Sequence, residues 1–492
     1  YKMPKFPQNQ KPIRYTIPLN LAGPAYSSYS SNLNAQTCIN WYPTLTGPDA
    51  KVPAALFPTH GTVLVGAVGS GSHRGAIEHN SKAYFVSGSR LVEMGTNETL
   101  TTIPGNITTD IGRVSMASNG AFGNQTIIVD GSAGYIFNGT TLAPVSAPDF
   151  PANPSIVKYM DGVAILTVLN SGTWYISNTN NFDSWTSTKF ANAERDPDNL
   201  VSVEVNNRDI MLFGDYTTEV GTNSGGSPFP FEVYNNGLFD KGCAAKFSVS
   251  KANDFVYWLS KDRRGSIQVL KAKGISYKPV SSKALDQMFS TYTTISDAEA
   301  FCYSEKGVAF YQITFPTEKV TWVYNTSIDD PEFAWFQKKT GSGRHIASTY
   351  LAFNNKQYVG SFANENLYRL DANTYKDGVD FIIRERTSSS VTSEGSRHNL
   401  IHRKLELEFE MGTGLVTGQG SNPQVTLDWS DDGGHTWANA RTRSVGGKGE
   451  YSKRIIFTGL GMSKNRIYRV RVSDPIKWVL IEGYLDVEET LQ

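Results

Sequence analysis

The feature that most restricts how this chain can fold is a degenerate unit that recurs between about residues 62 and 371. Each copy runs through a short turn, a strongly apolar strand, a second turn, and a strand with an aromatic or apolar pair. In chain order the copies are "NSKAYFVSGSRLVEM" (80–94), "NQTIIVDGSAGYIFN" (124–138), "DGVAILTVLNSGTWYIS" (161–177), "NNRDIMLFGDYTTEV" (206–220), "ANDFVYWLSKDRRGSIQVL" (252–270), "KGVAFYQITFPTEKVTWVY" (306–324) and "NNKQYVGSFANENLYRL" (354–370). Their starts lie roughly 37 to 54 residues apart, the scale of a four-stranded propeller blade. The units open on or beside Asn, Asp or Gly, which tolerate positive φ at a hairpin entry. Their strands carry the β-branched and aromatic side chains that suit a half-buried pleated surface. One such sheet cannot cover both of its own faces. Six or seven stacked radially can, and the stack exposes only short, protected edges. The expected class is therefore all-β, with a β-propeller of about six or seven blades over residues 56–375; two stacked sandwiches would give a related pattern.

The flanks read differently. Residues 1–55, including "YKMPKFPQNQKPIRYTIPLNL" and "AYSSYSSNLNAQ", are rich in Pro, Ser, Asn and Tyr without sustained alternation, so an extended N-terminal arm is expected. It is either a disordered tail or a strap along a neighbouring subunit. One stretch breaks the β pattern: "SSKALDQMFSTYTTISDAEA" (281–300) spaces Leu285, Met288, Phe289 and Tyr292 as a helix does, behind Ser281 and Ser282 as N-caps. Over 376–492, "KLELEF", "QVTLDWS", "YSKRIIF", "RIYRVRVS" and "WVLIEGYLDV" alternate cleanly between Gly-rich turns, which predicts a C-terminal β-sandwich-like domain.

Charge narrows the function. Lys plus Arg and Asp plus Glu both number 46, so the formal net charge is zero and no global field draws in a polyanion or an acidic membrane surface. Cys38, Cys243 and Cys302 lie too far apart in sequence for a disulfide framework or a spaced zinc cluster and read as small buried hydrophobes. There is no run of about 18 apolar residues and no signal-peptide order, so the expectation is a soluble chain without a membrane anchor, made in a reducing cytoplasm.

Several motifs invite a chemical reading. "SDDGGHTW", Ser430 to Trp437, fits the S-x-D-x-G-x-T-W Asp box of sialidases and related propellers. In that motif the Asp and Ser side chains fold back on the turn amides, the glycines supply left-handed backbone and the Trp packs beneath, so the box describes a turn rather than a reaction. "AERDPDN", with Glu194, Asp196 and Asp198, spaces oxygen ligands as a Ca²⁺ loop does, and also as a solvated loop does. His398 and His402 in "HNLIH" would share one face of a helix, but the metalloprotease Glu is missing and the context is strand-like. Basic clusters at "KDRRG" (261–265), "KAKG" (271–274), "IHRKLEL" (401–407) and "KNRIYRVRV" (464–472) are short and suit solvated faces; assembled around a phosphate backbone they would form a ring of charge. No nucleophile elbow, phosphate loop or dinucleotide fingerprint occurs. No catalytic, cofactor-binding or metal site is predicted, and no cofactor. The competing readings are a glycan-binding or sialidase-like propeller and a peptide-binding scaffold.

Across the central repeats the wording becomes specific. "FANAERDPDNLVSVEVNNRDIMLFGDYTTEV", "PFPFEVYNNGLFDKGCAAKFSVSKANDFVYWLSKDRRGSIQVLKAKG" and "SDAEAFCYSEKGVAFYQITFPTEKVTWVYN" resemble the tail-hub, or packaged-DNA stabilization, family of short-tailed double-stranded DNA phages. The similarity extends upstream through "INWYP", "FPTHGTVLVG", "HRGAIEHNSKAYFVSGSRLVEM" and "GRVSMASNG" and downstream to "YVGSFANENLYRLD", about residues 38–371. The resemblance implies a non-enzymatic virion part, made in the host bacterial cytoplasm and located in the tail. It implies a homohexameric ring below the portal-adaptor (head completion) protein that continues the DNA channel and retains packaged DNA. It also implies attachment of a tailspike or tail fibre and of a tail needle or plug, and transient, non-specific contact with passing genomic DNA.

Overall fold

The computed structural model describes residues 14–25, 36–193, 195–227, 229–393 and 398–490, which separate into two compact units. The first comprises 61–331 and 342–372; the second comprises the described parts of 1–60, 332–341 and 373–492.

The first unit is a succession of antiparallel sheets. Four are self-contained four-stranded meanders: His73–His79 to Leu100–Thr102, Ser115–Ser118 to Leu142–Pro144, Pro154–Met160 to Asn181–Asn192, and Leu200–Asn206 to Phe231–Phe239. In the fifth, Gly242–Cys243 and Ser250–Ala252 share the partner Phe255–Lys261, which continues to Ile267–Lys273 and Ser276–Pro279. The sixth contributes Glu299–Glu305, Val308–Phe315 and Val320–Asn325 to this unit. The seventh takes Ala347–Phe353, Lys356–Ser361 and Asn366–Asp371, and its last strand, Gly61–Ala67, comes from the start of the unit. The leading strands of the first four sheets pack in succession, those of the fifth, sixth and seventh do likewise, and the seventh returns to the first. Between the fourth and fifth, Leu200–Asn206 meets Phe255–Lys261. The all-β propeller expectation holds, with seven radial sheets among the described residues.

Local chemistry repeats with the sheets. The first hairpin turns at Asn80-Ser81, Asp161-Gly162, Asn207, Asn253, Lys306-Gly307 and Asn354-Asn355, all with positive φ. Two-residue turns of this hand match the right-handed twist of the flanking strands. The central strands are then buried on both faces by adjacent sheets: Ile127, Val129, Leu166, Phe182 and Trp185 fill one gap, and Met211, Phe213, Val220, Trp258 and Leu270 another. Trp258 is fully buried, lies 5.2 Å from the Phe213 ring, and donates its indole N–H to the Gly242 carbonyl at 3.0 Å. The predicted helix forms over Lys283–Thr291, where Ser282 Oγ accepts from the Leu285 amide at 3.3 Å and Leu285 and Phe289 are buried.

The meeting of the first and seventh sheets carries an extra clasp. Glu98, held at φ 65° after the strand Arg90–Met94, accepts from Lys356 Nζ at 2.9 Å, Tyr358 OH at 2.9 Å and Arg369 Nη1 at 2.8 Å. Burial by itself raises the Glu98 pKa; the lysine, arginine and tyrosine donors outweigh it and hold the carboxyl down to about 2.

The second unit pairs two sheets. One runs Trp41–Leu45, Ala54–Pro58, Leu480–Glu489, Leu400–Phe409, Ile455–Thr458, with Arg14–Leu19 and Met462–Ser463 added at its strands. The other contains Trp335–Gln337, Cys38–Ile39, Arg384–Thr387, Asn465–Val472, Gln424–Ser430 and Arg441–Ser444. Tyr42 and Phe336 meet between them at 6.1 Å, and Trp41 donates its indole N–H to the Trp478 carbonyl at 2.8 Å. The extended-arm expectation is corrected here: Cys38–Ile39, Trp41–Leu45 and Ala54–Pro58 are paired strands, because Trp41, Tyr42 and Leu56 supply an apolar face that is buried. Arg14–Leu19 is likewise paired, with Arg14 opposite Glu488 and Leu19 opposite Gly483. The arm reading for residues 1–13 and 26–35 lies outside the described residues.

Trp258→Ala removes a large, fully buried side chain from the gap between two sheets. We expect a loss of about 3–5 kcal/mol in the denaturant unfolding of the first unit, the range for such truncations. Because the Glu98 pKa falls to about 2 on folding, from about 4.3 in the unfolded chain, its stabilisation is present above that unfolded value and is lost as pH falls. Melting curves of Glu98→Gln should therefore lie below wild type at pH 7, and the gap should close on acidification through that window.

Candidate functional site

The leading strands of the seven sheets converge on a cavity of about 180 Å³, lined among others by Arg113, Lys158, Glu204, Lys246, Phe247 and Tyr350. Lys158 Nζ lies 2.6 Å from Glu204 Oε2. Arg113 Nη1 lies 3.3 Å from Glu299 Oε2, and Arg344 Nη1 is 3.8 Å from the other oxygen of that carboxylate. Lys246 Nζ sits 5.0 Å over the Phe247 ring, where burial lowers its pKa. Burial also lowers the pKa of Arg113 and of Arg344, with Glu299 acting in the opposite direction on both. A cation held over an aromatic face in a desolvated setting keeps its charge at a cost, and that cost falls when an anion arrives.

Sequence reasoning missed these residues. They come from "GRVSM", "SIVKYM", "AAKFS" and "GSGRH", each with a single cation, and the distance between Arg113 and Arg344 along the chain hides their convergence. A recoverable signal existed, since Lys158 sits on the leading strand of its repeat and Arg113 and Lys246 sit just before theirs.

The motifs that sequence reasoning did single out are occupied by structure. In the Asp box, Ser430 Oγ donates to Asp432 Oδ1 at 2.6 Å and accepts from the Gly434 amide at 2.8 Å. Asp432 accepts from the Thr436 amide at 2.9 Å and the Thr436 hydroxyl at 2.6 Å; Ser430 and Thr436 together hold its pKa well below the usual carboxylate range. Asp431 forms a bidentate pair with Arg466 at 2.6 and 2.7 Å. The Trp429 ring meets the guanidinium groups of Arg441 and Arg466 at 4.9 and 5.1 Å, and Arg469 lies 3.8 Å over Trp437. The box closes a turn between two sheet strands.

In the acidic loop, Glu194 lies outside the described residues. Asp196 pairs with Arg263, and Asp198 accepts from the Tyr216 and Thr217 amides at 2.8 and 3.0 Å, which fixes the turn. His402 is buried on the strand Leu400–Phe409, within 2.9 Å of Ser463 Oγ and 2.8 Å of Tyr468 OH, and burial pushes its pKa down to about 4. His398 precedes that strand and faces Glu489 at 3.6 Å. No cluster of three or more His, Cys, Asp or Glu with metal-binding geometry occurs among the described residues. Cys38 and Cys243 are buried and Cys302 half-buried, and burial pushes their thiols up to about 11, 11 and 12.

The basic clusters are largely matched. Lys271 pairs with Asp329 at 3.5 Å, Lys273 with Asp254 at 2.9 Å, Arg403 with Glu488 at 2.9 Å and Lys404 with Asp486 at 3.1 Å. Arg469 and Arg471 both reach Asp428, at 2.6 and 2.9 Å. Among the described residues, no helix is long and apolar enough to cross a membrane.

Comparison with known proteins follows the two-part architecture. Residues 15–375 match the family model described as bacteriophage P22 Gp10, β-propeller, and residues 385–488 match bacteriophage P22 Gp10, β-sandwich. No curated protein matches the chain. Similar solved structures include the computationally designed Ika8 protein, at 7% identity and TM-score 0.39, covering 63% of this chain and 100% of that one. BamB from Moraxella catarrhalis is 7% identical at TM-score 0.38, covering 74% and 98%. PorZ, a surface component of the type-IX secretion system of Porphyromonas gingivalis, is 10% identical at TM-score 0.36, covering 72% of this chain and 45% of PorZ. Matched first by a propeller and then by a sandwich model from one source, the chain belongs to the bacteriophage P22 Gp10 family and is a phage tail and packaged-DNA stabilisation protein of the virion.

Proposed function

We propose that the protein is the hub, or nozzle, of a short phage tail. Six copies form a ring below the portal-adaptor, continue the DNA channel and retain the packaged genome, and the ring anchors tailspikes or fibres and a needle or plug. The protein is made in the host bacterial cytoplasm and acts without cofactor or catalytic group. The propeller unit, 61–331 with 342–372, forms the rigid body, and the strands Arg14–Leu19, Cys38–Ile39, Trp41–Leu45 and Ala54–Pro58 fold with 332–341 and 373–490 as the second unit.

Family membership across both matched segments carries this reading. Two physical features support it. Each radial sheet packs on two neighbours, which resists deformation under a load transmitted by packed DNA. Most cations of the basic clusters are paired with intramolecular carboxylates, as in the Arg469, Arg471 and Asp428 group. A conduit built this way grips passing phosphates weakly, because retained phosphate contacts are what make binding tight. The glycan-cleaving alternative loses its motif, since Asp431 and Asp432 are committed to Arg466 and to the turn.

Native mass measurement of the purified chain, alone and mixed with its adaptor, should show six-fold association in at least one of the two conditions. A strictly monomeric chain in both would remove the hub reading.

A further inference from the structure

The cavity on the propeller axis is unbalanced in charge. Three cations, Arg113, Lys158 and Lys246, line it beside one carboxylate, Glu204. Glu204 is taken by Lys158 at 2.6 Å, and Glu299, just outside the lining, is shared between Arg113 and Arg344. Asp297 also acts on Arg344, but its Oδ2 is held by the Thr317 amide at 2.8 Å and the Thr317 hydroxyl at 2.6 Å. Lys246 has no carboxylate within ion-pair distance among the described residues, and only the Phe247 ring face receives it. Arg113 Nε is buried and has no hydrogen-bond partner there. A buried donor left unmade and an ammonium left unpaired are each costly, and a bound anion relieves both together.

We propose that the propeller axis is a binding site for a small phosphate-type oxyanion, held by Lys246 and Arg113 with Lys158 at its edge. The shape of the site selects this class. At about 180 Å³ it holds roughly six waters' worth of liquid at ~30 Å³ each, which admits a compact anion and excludes a duplex. The cations arrive from different sheets around the axis, so they meet a ligand whose oxygens point in several directions. A tetrahedral oxyanion satisfies that arrangement better than a planar carboxylate, which Arg recognises through one two-pronged edge. The axial site belongs to a single chain and does not depend on the assembly proposed above.

The test is calorimetric titration of inorganic phosphate into the full purified chain at constant ionic strength, with chloride as the reference anion. Saturable binding at one site per chain is expected, weakened at least tenfold in Lys246→Gln and retained in Lys246→Arg. The non-specific stabilisation that phosphate gives to any folded protein does not saturate and is the same in wild type and variants. Absence of saturable heat in the wild-type chain, or undiminished affinity in folded Lys246→Gln, overturns the proposal; the wild-type titration decides alone should that variant not fold. A competition arm separates the sources of the oxyanion. Displacement of phosphate by a short 5′-phosphorylated single strand identifies a nucleic-acid end as the ligand, and failure to displace it identifies the free ion; both support the assigned chemistry.

Discussion

The pairing of Gly61–Ala67 with Asn366–Asp371 is the contact on which the first unit depends. A radial stack of sheets covers both faces of every member only when its two ends meet. Without that pairing the seventh sheet lacks a strand and the unit has two open flanks. Closure is entropically expensive, since joining ends separated by about 300 residues costs about 5 kcal/mol in its length-dependent part. The join offsets this with a six-residue antiparallel ladder from Gly61 opposite Asp371 to Ala67 opposite Asn366. Burial in the same gap, of Phe85, Met94, Tyr358 and Leu367, adds to it. The Glu98 clasp of Lys356, Tyr358 and Arg369 belongs to the same seam and ties the first sheet to two strands of the last. Closure by a strand from the far end makes the unit cooperative, because loosening one sheet uncovers the faces of two others.

Buried charge follows a different logic in the second unit. Lys338 Nζ lies 3.2 Å from His60 Nε2, and Thr340 donates to Asp377 at 2.8 Å. Arg384 donates to the Thr59 carbonyl at 3.1 Å, and all four ionisable groups are buried. Burial raises the Asp377 pKa, and Lys338, His60 and Arg384 act against it. Well-packed apolar residues of the same volume would often be as stable or more so, whereas removing one partner strands the rest. Such a cluster therefore acts on specificity more than on net stability. It joins residues near positions 60, 338 and 380 that no apolar pattern brings together, and so fixes which chain segments share this unit.

The fold was legible where the pattern was strong. The repeat is visible in the sequence because its central strands, such as Ala83 to Val86 and Val256 to Leu259, are buried on both faces and read as near-continuous apolar runs between turns. The helix was legible because one Ser cap and two buried residues at a four-residue spacing, Leu285 and Phe289, carry it. The strands over 38–58 were not, since Pro43 and Pro58 lie within them and the neighbouring composition suggested an arm. Proline is tolerated there because the ladders are short, and Trp41 and Leu56 supply the burial that alternation did not advertise. The Asp box was read correctly as a turn, because its geometry is local. The axial cations were invisible for the opposite reason: convergence around an axis is a property of the closed ring, and no window of sequence contains it.

The contrast between paired cations on the sheets and Lys246 at the axis follows from one geometric fact. A cation on an outer strand or hairpin of the propeller can have a carboxylate within reach close by, as Lys273 has Asp254, so pairing there needs no rearrangement. A side chain pointing at the axis sees only residues at the same height on the other leading strands, and the space is too narrow to admit them all. Lys158 with Glu204 and Arg113 with Glu299 use the acids within reach, and Lys246 is left with an aromatic face. A half-buried lysine with no carboxylate beside it is destabilising in isolation. What marks the axis as the place where this propeller meets an anion is that Arg113, Lys158 and Lys246 converge there from different sheets while the one lining carboxylate, Glu204, is already taken by Lys158.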